Sequence, residues 1–401
     1  MKTDFDIIII GAGLVGLSAA LACAQSGAHI ALIDANDPEA TLDKSFDGRA
    51  SALSAGSYHM LGHLGVRETL AKHFTPILDM KIADSAMGKP SPLELHFNAQ
   101  ETSGSLGYMI ENRHLRAGLL CGVAEHENIE LIAPTTAEHI DRAAGRVQVN
   151  LPHQTLRAAL LIAADGRASP LRKAAQIKTT FKDYGQKALV TSFRHERPHG
   201  STAYQFFYSG GPLALLPLSQ NRMSIVWSDT GAAIDAANAL DDAALVAELE
   251  RRMNGLLGKI SLCAPRQTFP LGLQMAAHYT DTRLALIGDA AHIIHPIAGQ
   301  GLNMGLRDVA ALSEVIAQAR SRGLDIGGAS LDNYAVWRNF DNRLLSSATD
   351  IFNSLFSNNI SPLRHGRRLA LGALNLMPAT KGQLINAANG QSGQTPRLLQ
   401  P

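Results

Sequence analysis

Three short motifs, far apart in the chain, carry residues able to hold phosphate and hydroxyl groups. Gly11, Gly13 and Gly16 lie in Gly-Ala-Gly-Leu-Val-Gly, directly after the apolar run Ile7–Ile10. Asp165 lies in Ala164-Asp165-Gly166, after Leu160-Leu161-Ile162. Asp289 lies in Gly288-Asp289-Ala290-Ala291-His292, after Leu284 to Ile287, and the chain runs on through Pro296 to Gly299-Gln300-Gly301. Each motif ends an apolar run in glycine and acid before a turn or helix, which is where an α/β sheet binds its ligand. In the first, Gly11 allows a tight turn, Gly13 lets backbone approach a pyrophosphate, and Gly16 lets helix meet strand. The helix that follows offers free amides and a positive dipole end to phosphate.

The elements behind these motifs read plainly. Ile7–Ile10 is a β-branched run suited to a strand buried on both faces. A second strand, His29 to Ile33, ends at Asp34, the spacing of a carboxylate that binds an adenosine ribose hydroxyl. Asp34 would repel a 2′-phosphate, so FAD or NAD fits better than NADP. The first site does not separate those two. Three strand ends together require one large cofactor lying across one sheet, and we expect FAD. The uncharged stretch from Ile7 to Ala28 also has the length of a membrane helix. Its clustered glycines weaken such a helix, and Asp4 and Asp6 stand where a signal peptide needs basic residues.

Composition fits a soluble enzyme. The 401 residues allow two or three domains and a large core. A formal charge of +1, from 36 basic and 35 acidic residues, implies no nucleic acid or other polyanion as partner. Cys23, Cys121 and Cys263 form no CxxC and no disulfide framework, which points to a reducing, cytoplasmic setting. His292 and His295 are one turn apart, but no third ligand of suitable spacing accompanies them, so no metal is expected.

Along the chain, β-α-β is followed by Asp47-Gly48-Arg49 and a helix-like stretch from Ala50 to Leu64. A helix is expected around Arg113 to Leu120, short strands over 129–165, and four strands between Ala188 and Trp227. Helices follow at Asp241 to Leu257 and Leu302 to Arg320, and from Leu331 onward. The expected organisation is a discontinuous nucleotide-binding domain (1–75, 100–180, 266–330), an inserted β-rich substrate domain (76–99, 181–265), and a helical C-terminal region (331–401). Its tail, from about Asn389, should lack order.

At this level of detail the chain resembles the class A flavoprotein monooxygenases related to para-hydroxybenzoate hydroxylase, and within them the ubiquinone-biosynthesis aromatic hydroxylases. The resemblance rests on GAGLVGLSAA at 11–20, DGRASALSAGS at 47–57, NRHLRAGL at 112–119 and ADGRASPLR at 164–172. It continues through GPLALLPL at 211–218, RLALIGDAAHIIHPIAGQGLNMGLRD at 283–308 and LFSNNISPLRHGRRLALGALNLMP at 355–378. Asp34 is a mild departure, since many relatives carry Glu there. The implied fold is α/β, an FAD-binding Rossmann-like domain of the glutathione-reductase type with an inserted β-rich substrate domain and a helical C-terminus.

The resemblance implies the following roles. Gly11, Gly13 and Gly16 meet the FAD pyrophosphate, Asp34 the ribose, and Asp165 belongs to the same cofactor site. Arg49 lies near the FAD phosphates or an incoming nicotinamide cofactor, and Arg113 contacts the ribityl or phosphate portion. Asp289 bonds the ribityl chain, while Pro296, Gly299, Gln300 and Gly301, with Leu302 and Asn303 after them, run along the isoalloxazine. Pro296 and His295, beside the flavin, come nearest to a catalytic role. Phe206, Leu216, Pro217 and Trp227 line the substrate pocket. Without the resemblance, Asp47 and Arg49 fit a surface turn equally well, Arg113 a solvated helix position, and the four apolar residues a plain sheet core.

The implied reaction is hydroxylation of the aromatic ring of a polyprenylated phenol by O₂, through a flavin C4a-hydroperoxide, within ubiquinone biosynthesis. Electrons come from transiently docked NAD(P)H or a protein donor. Two other readings stay open: a different FAD enzyme of the same fold (epoxidase or prenyl reductase; a halogenase is disfavoured by the presence of only Trp227 and Trp337 and the lack of a W-x-W-x-I-P segment), and a non-catalytic flavin-containing lipid-binding subunit. Partner enzymes of a biosynthetic complex and peripheral contact with the inner membrane are also implied. Arg364, Arg367 and Arg368 among Leu363, Leu369, Leu371, Leu374 and Leu376 suit such an interface, and equally a helix packed on the FAD domain with a solvated basic edge.

Overall fold

The computed structural model describes residues 4–40, 42, 46–84, 94–101, 104–295, 299–339, 341–342 and 394–401. Its first sheet has six strands in the order Thr280–Asp281, Leu284–Leu286, Leu160–Ala163, Ile7–Ile10, Ile30–Ile33, Ile129–Ile132. All pairs are parallel except the first, an edge hairpin. Ile7, Ile8 and Ile9 are all fully buried, as expected of a strand covered on both faces. One core joins them to the helices Leu14–Ala24, Asn112–Ala124 and Gln300–Ser321 and to Val147 and Val149 of a small antiparallel sheet. The uncharged stretch after Asp6 is therefore a strand, a glycine turn and a core helix. Among the described residues no helix is long and apolar enough to cross a membrane.

The second, nine-stranded sheet runs His292–Ile293, Gln267–Ala276, Thr179–His195, Arg222–Thr230, Gly211–Leu218, Thr202–Tyr208, Asp79–Asp84, Glu94–Asn98, with Ile260–Leu262 paired to Thr179–His195. Strand alternation divides its side chains between two faces. Leu189, Phe193, Leu213, Leu215, Met223, Ile225 and Trp227 meet Ile234, Leu245, Leu249 and Met253 of the helices Gly231–Ala239 and Asp242–Met253. Each such buried side chain contributes about 1.5–3 kcal/mol, so this face fixes the sheet firmly. The opposite face carries Ala188, Val190, Ser192, Ala214, Leu216, Ser224 and Val226, paired in register across three strands. Leu216 there joins Ala50 and Ala52 of the first unit in a separate apolar cluster.

Four elements differ from the sequence-based expectations. Ala50–Leu53 is a strand paired with Gly107–Glu111, and the helix starts only at Ala55, where the Ser54 hydroxyl accepts from the Ser57 amide. Local pattern favoured helix throughout; cross-strand partners distant in sequence override it. Residues 267–276, expected in the nucleotide unit, belong to the large sheet. The helix Gly231–Ala239, capped by Thr230, was not anticipated. Residues 394–401, expected to lack order, are anchored: Leu399 is 1% exposed, and the Arg397 amide donates to Glu314 at 2.9 Å. Residues 330–339 are helical as expected. The basic and apolar run at Leu363 to Leu376 lies outside the described residues.

Candidate functional site

The ends of the three motif strands converge. Gly11 sits at φ +107°, a conformation closed to other residues, and its amide donates to Ile33 O at 2.8 Å. A Cβ on Gly16 would strike the Gly11 carbonyl, so that glycine is required by the helix–strand approach. Gly13 differs: a Cβ there would meet nothing within 4 Å. It begins the Leu14–Ala24 helix beside open space, the cradle a pyrophosphate needs. Asp34 braces this turn by accepting from the Ala12 amide at 2.6 Å and the Asn36 amide at 2.8 Å.

Asp289 follows Gly288, which has φ +58°. Solvent reaches its side chain, yet the surrounding protein desolvates the carboxyl and raises its pKa, against opposing pulls from His292, Arg167 and Arg49. No described residue hydrogen-bonds the Asp289 carboxylate, which leaves it free to accept from ligand hydroxyls. Beneath it lies an ionic cluster that the sequence did not disclose. Asp308, fully buried, accepts from the Gly288 amide at 3.0 Å, His292 Nε2 at 2.6 Å and Arg338 Nε at 2.9 Å. Burial alone would raise the Asp308 pKa, but His292 and Arg338 overcome it and hold the group at about 2. His292 is thereby a structural partner of Asp308.

Gly299, at φ +62°, opens the Gln300–Ser321 helix, and a Cβ there would come within 3.1 Å of Ala52. Asn303 holds this junction. It accepts from the Ser54 amide at 2.9 Å and Ser57 Oγ at 2.7 Å, and donates to Ala52 O at 2.8 Å. Its amide is thus committed to protein groups. Gly301 is exposed and faces open space, Gln300 is half-buried, and Leu302 rests on the core. Pro296 lies outside the described residues. His295 is 1% exposed, neither ring nitrogen has a hydrogen-bond partner among the described residues, and burial lowers its pKa to about 4. The Tyr184 ring stands edge-on to it at 5.4 Å.

The remaining candidates separate. Arg49 is exposed and close enough to Asp289 and Arg116 to perturb both. Arg116 is half-buried, with Arg49, Asp34 and Asp47 near enough to affect its charge. Two arginines one helical turn apart were the available signal, and spacing alone does not choose between them. Arg113 instead pairs with Glu111, Nη2 to Oε2 2.7 Å, and its guanidinium lies over the Phe46 ring. Asp165 accepts from the Leu171 amide at 3.0 Å, while its other oxygen is buried with no hydrogen-bond partner among the described residues. Desolvation raises the Asp165 pKa. Of the four apolar candidates, Leu216 lies on the face turned to the nucleotide unit. Trp227, 2% exposed, and Phe206 belong to the helix-covered core, and Pro217 pairs with Met223 of that core. The period-two alternation of Leu213 to Leu218 carried this distinction.

The open cradle at Gly13, the available Asp289 carboxylate and the open helix start at Gly301 fit FAD. The sequence signature described as "FAD binding domain" matches residues 4–335. The chain is 40% identical over 399 residues to "Ubiquinone hydroxylase UbiL" of Rhodospirillum rubrum, covering 98% of this chain and 92% of that protein. It is 35% identical to the "3-demethoxyubiquinol 3-hydroxylase" of Escherichia coli, covering 96% of this chain and 98% of that one. Among solved structures, p-nitrophenol 4-monooxygenase PnpA from Pseudomonas putida superposes with TM-score 0.79 at 19% identity, over 98% of this chain and 100% of that chain, a likeness of fold. The chain belongs to the FAD-binding oxidoreductases of the ubiquinone-biosynthesis aromatic hydroxylase family.

Proposed function

We propose that this enzyme hydroxylates the aromatic ring of a polyprenylated phenol on the route to ubiquinone. The observation that carries the reading is the pairing of two surfaces. The strand ends that suit FAD belong to one unit, and a sheet face of small and apolar side chains, Val190, Ala214, Leu216, Ser224 and Val226, belongs to the other, meeting the first unit where Leu216 joins Ala50 and Ala52. FAD, when bound, supplies the redox chemistry that activates O₂. The protein's part is to place the ring and to keep water from the reacting atoms. Gly11, Gly13 and Gly16 would shape the pyrophosphate cradle, Asp34 and Asp289 would accept from cofactor hydroxyls, and the helix start at Gly301 would offer its positive end to the bound flavin.

His295 is the residue we assign to the substrate hydroxyl. Its lowered pKa keeps the ring neutral at pH 7, so one nitrogen donates and the other accepts. An unpaired imidazole this buried costs free energy unless a ligand satisfies it. The other proposed roles remain as the resemblance implies: Pro296 along the flavin, NAD(P)H as transient donor, and contact with a membrane surface or partner enzymes to reach an insoluble substrate.

The test is turnover with a short-chain prenylphenol under labelled O₂. Incorporation of one labelled oxygen into the ring, with NAD(P)H consumption stimulated by the phenol, is expected. Oxygen entering the prenyl chain, or no substrate-stimulated turnover with any reductant, refutes the reading.

A further inference from the structure

On the face of the large sheet turned away from the helices, one lateral row runs Gln205, Ala214, Val226, Val190, Gln267, each residue paired with the next across adjacent strands. Ala214, Val226 and Val190 sit mid-sheet with strands on either side, yet solvent reaches all three. Leu213, Leu215 and Ile225, their chain neighbours on the opposite face, are sealed in the helix-covered core. A hollow therefore lies over this row, floored by small side chains. On the other side of Gln205 the row rises into larger ones, Ile82 and then Leu95, which pack with Phe97 and Phe207.

Gln205 stands at that step. Tyr204 and Phe206, before and after it in the chain, pack on the helix-covered core, so strand alternation sends Gln205 to the hollow. It is 9% exposed, and no described residue hydrogen-bonds its side-chain amide. The glutamine at the other end of the row differs. Gln267 Nε2 donates to Asp47 O at 3.0 Å and is committed to the fold. A buried amide among apolar neighbours costs free energy unless water or a ligand satisfies it. Packing gives no reason for it here, because methionine fills a similar volume without that cost.

We propose that the Gln205 amide hydrogen-bonds an oxygen already present on the substrate ring, and so selects oxygenated rings over plain ones. The assignment rests on the hydroxylase reading above and deepens it by naming a residue that sets specificity. The amide accepts from a hydroxyl and donates to a methoxy or carbonyl oxygen. A ring that lacks such an oxygen displaces water from the hollow and leaves the amide stranded, and this penalty creates the selection. His295 serves a different atom of the substrate. It meets Tyr184 of the Thr179–His195 strand, which is three strands from Gln205, about 14 Å across the sheet.

The test measures binding of two short-chain prenylphenols, one with a ring methoxy group and one without, to the FAD-loaded protein, read from the change in flavin absorbance. The parent should hold the methoxy compound about tenfold more tightly. Gln205→Met should abolish that preference by weakening the methoxy compound, while the plain phenol binds as tightly as before or more so. Flavin content should not change, and the melting temperature should not fall. Gln205→Leu, a second apolar filling, should behave alike. The proposal is overturned if the parent does not distinguish the compounds, if neither variant alters the preference, or if both compounds weaken equally. A lost preference without ring hydroxylation of either compound would leave the contact standing and sink the functional reading. Ring hydroxylation with an unchanged preference would do the reverse.

Discussion

Replacing Asp308 with asparagine tests whether the buried cluster supports the cofactor loop. The carboxylate receives the Gly288 amide, His292, Arg338 and, at 3.2 Å, Asn342. Asp308→Asn keeps the shape and one acceptor but removes the charge opposite Arg338, which is only 1% exposed. Breaking one partner of a buried ion pair costs roughly 3–5 kcal/mol. Arg338 also reaches Asp341 at 2.8 Å and Asn342 at 2.6 Å, so the lower end, about 3 kcal/mol, is expected. That is a large share of the 5–15 kcal/mol typical of a folded domain. Urea denaturation of the apoprotein measures it. Arg338→Met should cost a similar amount, and the double variant should cost about 1–3 kcal/mol less than the sum, because the remaining charge is removed with its partner. In the folded fraction of Asp308→Asn, FAD should bind more weakly, since the Gly288 turn has lost its anchor. Strict additivity, or a loss below about 1 kcal/mol for Asp308→Asn, would refute the argument.

Gly13→Ala should leave the apoprotein melting temperature almost unchanged but weaken FAD severely, whereas Gly16→Ala should impair folding itself; equal effects on melting would contradict the open cradle. Asp289→Asn should weaken FAD by about 1–3 kcal/mol at unchanged apoprotein stability, read by fluorescence titration. Leu216→Phe should raise KM for a prenylphenol with little change in stability, while Trp227→Ala should cost about 3–5 kcal/mol in urea denaturation. His295 takes up no proton in the fold until about pH 4, against 6.5 when unfolded, so unfolding binds a proton between those values. His295 should therefore contribute a loss of roughly 3 kcal/mol of apoprotein stability as pH drops across that window, and His295→Phe should make the profile shallower there by that amount.

The strand-end motifs were legible because buried strands, glycine turns and acids are local features. Gly11, Gly13, Gly16, Asp34 and Asp289 accordingly follow the carboxyl ends of strands in one parallel sheet. What depended on distant partners was not legible. Ala50–Leu53 became a strand only through Gly107–Glu111, and Asp308 acquired its role only by meeting Arg338. Trp227 drew attention as a large aromatic side chain, yet its register opposite Leu213 sends it under the helices. Leu399 lies in a polar tail whose composition gives no hint that it reaches the Ala55–His63 helix, where the His63 ring meets the Gln400 carbonyl at 3.1 Å.

The nine-stranded sheet has a consequence for how the chain reaches its native state. Thr202–Phe207 lies parallel to Asp79–Asp84, so that pairing must close over residues 85–201. Gln274 and Met275 then pair with Ile293 and His292, which follow the last strand of the nucleotide unit. Neither unit is a continuous stretch, so a single cut in the chain frees neither as an independent body. Pairings this remote are slow to form, and the apolar Thr202–Tyr208 edge stays uncovered until they do. Assembly is thus most vulnerable to aggregation before the Asp79–Asp84 strand docks, while the Ile7–Ile10 and Ile30–Ile33 pair, joined by one helix, is free to form early.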